Sequence, residues 1–274
     1  MELEVHVPGG SLHVVDDGAG RPVVLLHAGV ADSRSWDAMV PHLVEAGLRV
    51  VRYDARGFGR TTTDDVEFSN VEDLVAVLDH LGIDKALLVG NSRGGLIAFN
   101  AALDRPDRVV GVIGVAAALG GFTGTSTPLE EALFEELERL ESQDPMDIEA
   151  IAELDVAMWV DGPGQPPTRV DPAIREYVRE VDRSLYSPDR VAGRWSAPAR
   201  PAVERLEELS VPVVAVVGLL DVTDFVQTAE HLERHAPDAV AVLWPDVAHM
   251  IGMEVPDRLA ALVVDAADQL GDWS

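Results

Sequence analysis

The sequence predicts an α/β fold built on a mostly parallel sheet, and three observations carry that reading. Apolar runs without polar alternation recur along the chain, as in "PVVLL", "KALLVG" and "VVGVIGV", and such runs belong to strands covered on both faces. Segments with helical apolar spacing separate them, joined by short connections, and this alternation places parallel strands between layers of helices. The rhythm breaks once, after about Gly121, and resumes near residue 201.

Each element follows in order. "ELEVHV" and "SLHVVDD" flank "PGG" and read as an antiparallel hairpin. "RPVVLLHAG" is the first doubly covered strand, and "WDAMVPHLVEAG" is a helix ending at Gly47. "LRVVRYDARGFGR" is a second buried strand running into a glycine-rich loop. "SNVEDLVAVLDHLG" is a helix capped by Ser69 or Asn70. "KALLVG" is the third strand, "SRGGLIAFNAALDRP" a helix stopping before Pro106, and "RVVGVIGVAAA" the fourth strand. From 122 to 200 three amphipathic helices are expected and no strand. "PLEEALFEELERLESQ" puts Leu129, Leu133, Leu137 and Leu140 on one face, and a loop "DGPGQPP" divides the other two helices, "PMDIEAIAELDVAMWVDG" and "DPAIREYVREVDRSLY". The alternation then returns with strand "VPVVAVVG", helix "DFVQTAEHLERHA", strand "AVAVLW" and helix "PDRLAALVVDAADQL". The division expected is a core of residues 1–121 and 201–274, interrupted by a helical insertion of residues 122–200.

Composition narrows the function classes. Of 274 residues, 48 are acidic and 21 basic, a formal net charge of -27. Such a surface repels nucleic acid and anionic membrane, so neither is an expected partner. Lys85 is the only lysine, and there is no cysteine, which excludes disulfides, thiolate catalysis and cysteine-bound metal. No apolar run is long enough to span a bilayer. The opening "MELEVHVPGG" lacks a basic stretch followed by an apolar one. Cytoplasmic residence is therefore expected.

The chemistry begins at Gly90-Asn91-Ser92-Arg93-Gly94. A serine hydroxyl is a poor nucleophile until a base takes its proton, and it must project from a turn that substrate can reach. The pattern G-x-S-x-G, closing a buried strand and opening a helix, is the sequence form of that turn. The alternative role for Ser92 is a plain helix cap. Eight histidines compete for the base. His6 and His13 lie on the hairpin, His42 and His80 on helix surfaces, and His27 ends a strand where it shapes a loop. His231 and His235 have i,i+4 spacing but no third ligand, so no metal site is expected. His249 follows the last strand, at the edge where parallel sheets assemble their sites. Asp221, just past "VPVVAVVG", is the acid expected to orient His249, with Asp224 its competitor. The backbone N–H groups of Arg93 and Gly29, with Ala28 as the alternative to Gly29, are the expected oxyanion donors.

With these residues in place the chain resembles the α/β-hydrolase superfamily, and within it the capped esterases, lactonases, carbon–carbon bond hydrolases and cofactor-free haloperoxidases. The matching pieces are "VVLLHAG", "VVRYDARGFGRT", "LLVGNSRGGLIA", "VVGLLDVTDF" and "AHMIGMEVPDRL". The order Ser, Asp, His is that of this fold. The resemblance implies that residues 122–200 form a cap over the site, and that Asp54 and Arg56 of "DARGFGRT" brace nearby loops. There are departures. Ala28 stands where glycine is usual, and Arg93 stands where an apolar residue is usual. The guanidinium of Arg93 either meets an acidic substrate group, or points to solvent or pairs with a carboxylate. The dehalogenases and most epoxide hydrolases of the family use Asp as nucleophile, so Ser92 points away from both.

The expected activity is hydrolysis of a carboxylic ester, lactone or thioester of a small, largely apolar substrate through an acyl-enzyme, with no cofactor. Phe122, Met158, Trp159 and Trp195 are candidates to line an apolar pocket, or else form the insertion's own core. Two alternatives stay open: the same triad used for carbon–carbon cleavage or perhydrolysis, and a non-enzymatic ligand receptor. The oligomeric state is open.

Overall fold

A computed structural model describes residues 1–273. The chain opens with the expected hairpin, β1 (Glu2–Val7) and β2 (Gly10–Gly18), in antiparallel register from Glu2–Val15 to Val7–Gly10. Gly9 turns it with φ of 70°, in the left-handed region that a Pro-Gly type II turn demands. Next come β3 (Arg21–Leu26), helix α1 (Val40–Glu45) and β4 (Leu48–Tyr53). Two short strands, β5 (Thr62–Thr63) and β6 (Glu67–Phe68), precede α2 (Asn70–His80), whose cap is Ser69. Then follow β7 (Ala86–Asn91), α3 (Arg93–Asp104) and β8 (Val109–Val115).

The sheet runs β1-β2-β4-β3-β7-β8 and continues through two later strands, β10 (Val213–Gly218) and β11 (Ala239–Trp244). All neighbours from β4 onward are parallel, and β2 meets β4 antiparallel. Side chains alternate across a strand, so Gly111 and Gly114 of β8 face opposite sides. A Cβ on Gly111 would meet Leu270 at 3.1 Å, and one on Gly114 would meet Phe99 at 3.1 Å. Phe99 belongs to α3 and Leu270 to the last helix, α9 (Pro256–Leu270), so these helices cover the two faces at close range. That is why β3, β7 and β8 are buried almost throughout.

Between β8 and β10 the chain leaves the sheet and forms α4 (Pro128–Glu141), α5 (Ile148–Asp155) and α6 (Pro172–Leu185). Thr127 and Glu130 close a reciprocal capping box on α4, and Glu130 also accepts from the amide and hydroxyl of Thr223 at 2.8 and 2.9 Å. A wider, π-type turn continues α5 through Val156–Asp161. One expectation fails here. Arg194–Trp195 form a strand, β9, parallel to β6. Two residues are too few for any alternation to register in sequence. After β10 the chain continues with α7 (Thr223–His235), β11, α8 (Ile251–Glu254) and α9. A small apolar cluster of Ala28, Ala31, Val156, Val160, Val170, Val178 and Met250 joins the inserted helices to the loops after β3 and β11. Among the described residues no helix is long and apolar enough to cross a membrane.

Candidate active site

Ser92 sits between the last residue of β7 and the first of α3, with φ 53° and ψ -114°. A side chain other than glycine rarely holds positive φ, and doing so costs roughly 1–3 kcal/mol. Glycines make the turn achievable. A Cβ on Gly94 would lie 2.0 Å from the Leu26 carbonyl oxygen, and one on Gly95 2.3 Å from the Ala117 side chain. Hydrogen bonds pin the strained residue: its N–H donates to Val115 O at 3.0 Å, and its carbonyl accepts from Gly95 and Ala118.

His249 lies between β11 and α8 and is buried. Its Nδ1 is 2.8 Å from Oδ2 of Asp221, while Oδ1 of Asp221 accepts from the Val222 amide at 2.7 Å. A carboxylate at Nδ1 holds the proton there and leaves Nε2 as an acceptor. The backbone beside them is fixed as well. Asn91 Nδ2 donates to the His249 carbonyl at 3.2 Å, and a Cβ on Gly218 would strike Val247 O at 2.0 Å. Trp159 and Phe225 flank the imidazole, with ring centroids 4.9 and 4.5 Å away. Asp224 is not the partner of His249. Its Oδ1 accepts from the Gly124 amide and so ties the start of the inserted segment to α7.

Gly29 lies open, with nothing within 4 Å of where a Cβ would be. Among the described residues the amides of Gly29 and Arg93 have no acceptor. His27 sets the loop that carries Gly29: Nδ1 donates to Ala28 O at 2.8 Å and Nε2 accepts from the Ala55 amide at 3.1 Å. Burial pushes its pKa down to about 4, so the ring is a neutral brace. Asp54 accepts from the amides of Ser33 and Arg60, and Arg56 forms a two-point pair with Asp73 at 2.7 and 2.9 Å, the bracing that the family resemblance implied.

Arg93 corrects one expectation, because it neither points to solvent nor pairs with a carboxylate. Its Nη2 donates to Asn70 Oδ1 at 3.0 Å, its guanidinium lies 4.7 Å from the centre of the Phe58 ring, and Nη1 is buried without a partner. Burial lowers its pKa to about 10. The other histidines stay apart from the site. His42 pairs with Asp257, His13 is buried beside Glu4, and His231 stacks on His235. No group of three metal-binding side chains occurs among the described residues.

Ser92 and His249 line one cavity of about 230 Å³, together with Gly29, Val30, Asp155, Trp159 and Tyr186. Of the four pocket candidates only Trp159 is there. Met158 is wholly buried and does not line it, the Phe122 ring lies tilted against His231 at 4.7 Å, and Trp195 is exposed on β9. Asp155 and Tyr186 were missed, as was Asp182 in an adjoining cavity. A signal existed for two of them. Asp155 falls four residues after Ile151 and Asp182 four after Val178, so each acid stands on the apolar face of its helix.

Residues 21–256 match the family model described as the alpha/beta hydrolase fold. The chain belongs to the α/β-hydrolase family. Among its relatives, this α/β hydrolase is 36% identical over 120 residues to an epoxide hydrolase of Caballeronia sordidicola, a match covering 42% of this chain and 36% of that one. The chain thus spans little more than a third of that relative's length. It is 27% identical over 272 residues to haloalkane dehalogenase 2 of Mycobacterium tuberculosis, covering 93% and 91% of the two chains. Among solved structures it is similar to Est816, described as an N-acyl homoserine lactone degrading enzyme, with a TM-score of 0.73 and 25% identity over 95% of this chain and 98% of that one. A hydrolase is the function class these likenesses share with the fold.

Proposed function

We propose that the protein hydrolyses a carboxylic ester, lactone or thioester of a small, largely apolar substrate. The observation that carries this reading is the 2.8 Å contact between His249 and Asp221 at the wall of the cavity that Ser92 also lines. In this scheme Nε2 of His249 takes the Ser92 proton as Oγ attacks the carbonyl carbon. Asp221 stabilises the imidazolium. The free amides of Gly29 and Arg93 receive the charge that develops on the carbonyl oxygen. His249 then protonates the leaving group, and the acyl group remains on Ser92. A water deprotonated by His249 releases it.

The small volume of the cavity and the Trp159 and Val30 walls favour a compact apolar frame. The resemblance of the chain to capped esterases and lactonases, and the lactone-degrading description of Est816, favour an acyl substrate. The relatives named for epoxides and haloalkanes do not carry the argument, because Ser92 stands where that resemblance would place Asp.

A fluorophosphonate probe tests the reading, with intact mass and peptide mapping on the wild type, Ser92→Ala and His249→Ala. The expected result is one adduct, on Ser92, absent from both variants. A folded wild type that does not label would overturn the activated serine. Turnover of ring-cleavage diketones orders of magnitude above simple esters would overturn the acyl substrate.

A further inference from the structure

The cavity at Ser92 does not end at Trp159. An adjoining one of about 210 Å³ shares Gly29, Val30, Asp155 and Tyr186 with it and reaches Asp182 and Arg190. Two helices supply this wall with the same pattern, an acid followed four residues later by an aromatic: Asp155 with Trp159, and Asp182 with Tyr186. Residues at that spacing share a helix face. Asp155 is nearly fully buried, and its Oδ1 accepts from the Trp159 indole at 2.9 Å. Asp182 is fully buried, and neither of its carboxyl oxygens has a hydrogen-bond partner.

A buried carboxyl with both oxygens unmatched is costly, and each buried polar group of that kind calls for an explanation. The neighbouring groups do not provide one. Arg190 lines the same space but gives its Nε and Nη1 to the carbonyls of Gly57 and Leu185, and it makes no ion pair among the described residues. The Tyr186 hydroxyl donates to Glu141 at 2.6 Å. Arg93 is held at Phe58 and Asn70.

We propose that Asp182 and Asp155, with the faces of Trp159 and Tyr186, bind a cationic amine carried by the substrate, so that the preferred ester or lactone bears an ammonium group beyond its scissile carbonyl. This rests on the reading that Ser92 is the site of reaction. An ammonium N–H answers the unmatched oxygens of Asp182, and the aromatic faces stabilise the same charge. The net charge of -27 draws cations toward the molecule at long range. Burial and the neighbouring Asp155 push the Asp182 pKa up to about 8, and a bound cation would favour its carboxylate form.

A matched pair of esters tests this: dimethylaminoethyl butyrate, which is cationic, and isopentyl butyrate, its neutral isostere. In the wild type kcat/KM for the cationic ester should exceed that of the isostere by about tenfold or more, mostly through KM. In Asp182→Asn and Asp155→Asn the ratio should collapse toward one. The corresponding butyl ethers, which cannot be hydrolysed, are then titrated calorimetrically into the wild type and the two Asn variants. Tighter binding of the cationic ether to the wild type, lost in the variants, supports the cation site even if neither ester is turned over, in which case the reading of Ser92 fails alone. A wild-type ratio near or below one, or equal binding of the two ethers, overturns the cation site and leaves the serine chemistry standing.

Discussion

Buried carboxyl groups are handled differently in the sheet and in the helices above it. Beneath the site, Asp54 accepts two backbone amides, Arg56 is matched to Asp73, and His27 spans two loops with both ring nitrogens used. In the inserted helices, Asp182 and one oxygen of Asp161 are buried without partners. Other charges there are paired on the outside, as between Arg183 and Glu149 at 2.7 Å and between Arg179 and Glu153 at 2.6 Å. Satisfied groups fix geometry, and unsatisfied ones leave room for something to bind. On the proposed reading, the sheet half holds the reacting groups and the helical half receives the substrate.

The contrast is sharpest at the reactive groups. Asp221→Asn should lower kcat by about 10³–10⁴-fold while Tm changes little, because the amide keeps the shape but misorients His249. Loss of fold together with activity would show that Asp221 is structural. Gly94→Ala should destabilise by about 3 kcal/mol in denaturant melts, since the added carbon meets the Leu26 carbonyl at 2.0 Å. A neutral result would mean that the elbow yields more easily than its packing implies.

The two halves should also answer pH in opposite directions. The folded His27 has a pKa of about 4 against the usual 6.5, so an unfolded chain takes up a proton that the native one refuses. Its stabilising contribution is present above 6.5 and is lost as pH falls toward 4. Asp182 has a pKa of about 8 against 3.8, so the native chain keeps a proton that the unfolded one has released. Stability therefore declines as pH rises through that window. Between pH 4 and 6.5 the two contributions oppose one another, so in melts from pH 4 to 8 stability should fall with rising pH across the whole range in His27→Asn, and in Asp182→Asn should rise up to 6.5 and then level off. Parallel curves for all three would break the comparison. The smallest effect belongs to the outer ion pairs: Glu149→Gln should shift Tm by no more than about 2 °C, and by less at high salt.

The sheet half was legible in sequence because doubly covered strands leave unbroken apolar runs, as in β7 and β8, and because an elbow leaves glycines at fixed offsets from Ser92. Asp221 and His249 stand out in sequence by their places after β10 and β11, and in the structure they meet at 2.8 Å. The cavity wall was not legible. Helical periodicity says which face of a helix is buried but not which neighbour it meets, so sequence leaves pocket and insertion core open for Phe122, Met158, Trp159 and Trp195; of these, only Trp159 lines the cavity with Ser92. Asp155 and Asp182 each interrupt an apolar face, but periodicity alone does not say that a cavity lies there. Arg93 was misread because a long side chain finds partners distant in sequence, here Phe58 and Asn70.

One arrangement bears on how such a molecule diversifies. Ser92, Asp221 and His249 come from the stretches before residue 122 and after residue 200, whereas Asp155, Trp159, Asp182 and Tyr186 come from the stretch between. On the proposed reading, the groups that react and those that select the substrate thus fall in separate stretches of the chain. On that reading, exchanging the middle stretch between relatives would alter what is admitted and leave Ser92, Asp221 and His249 in place.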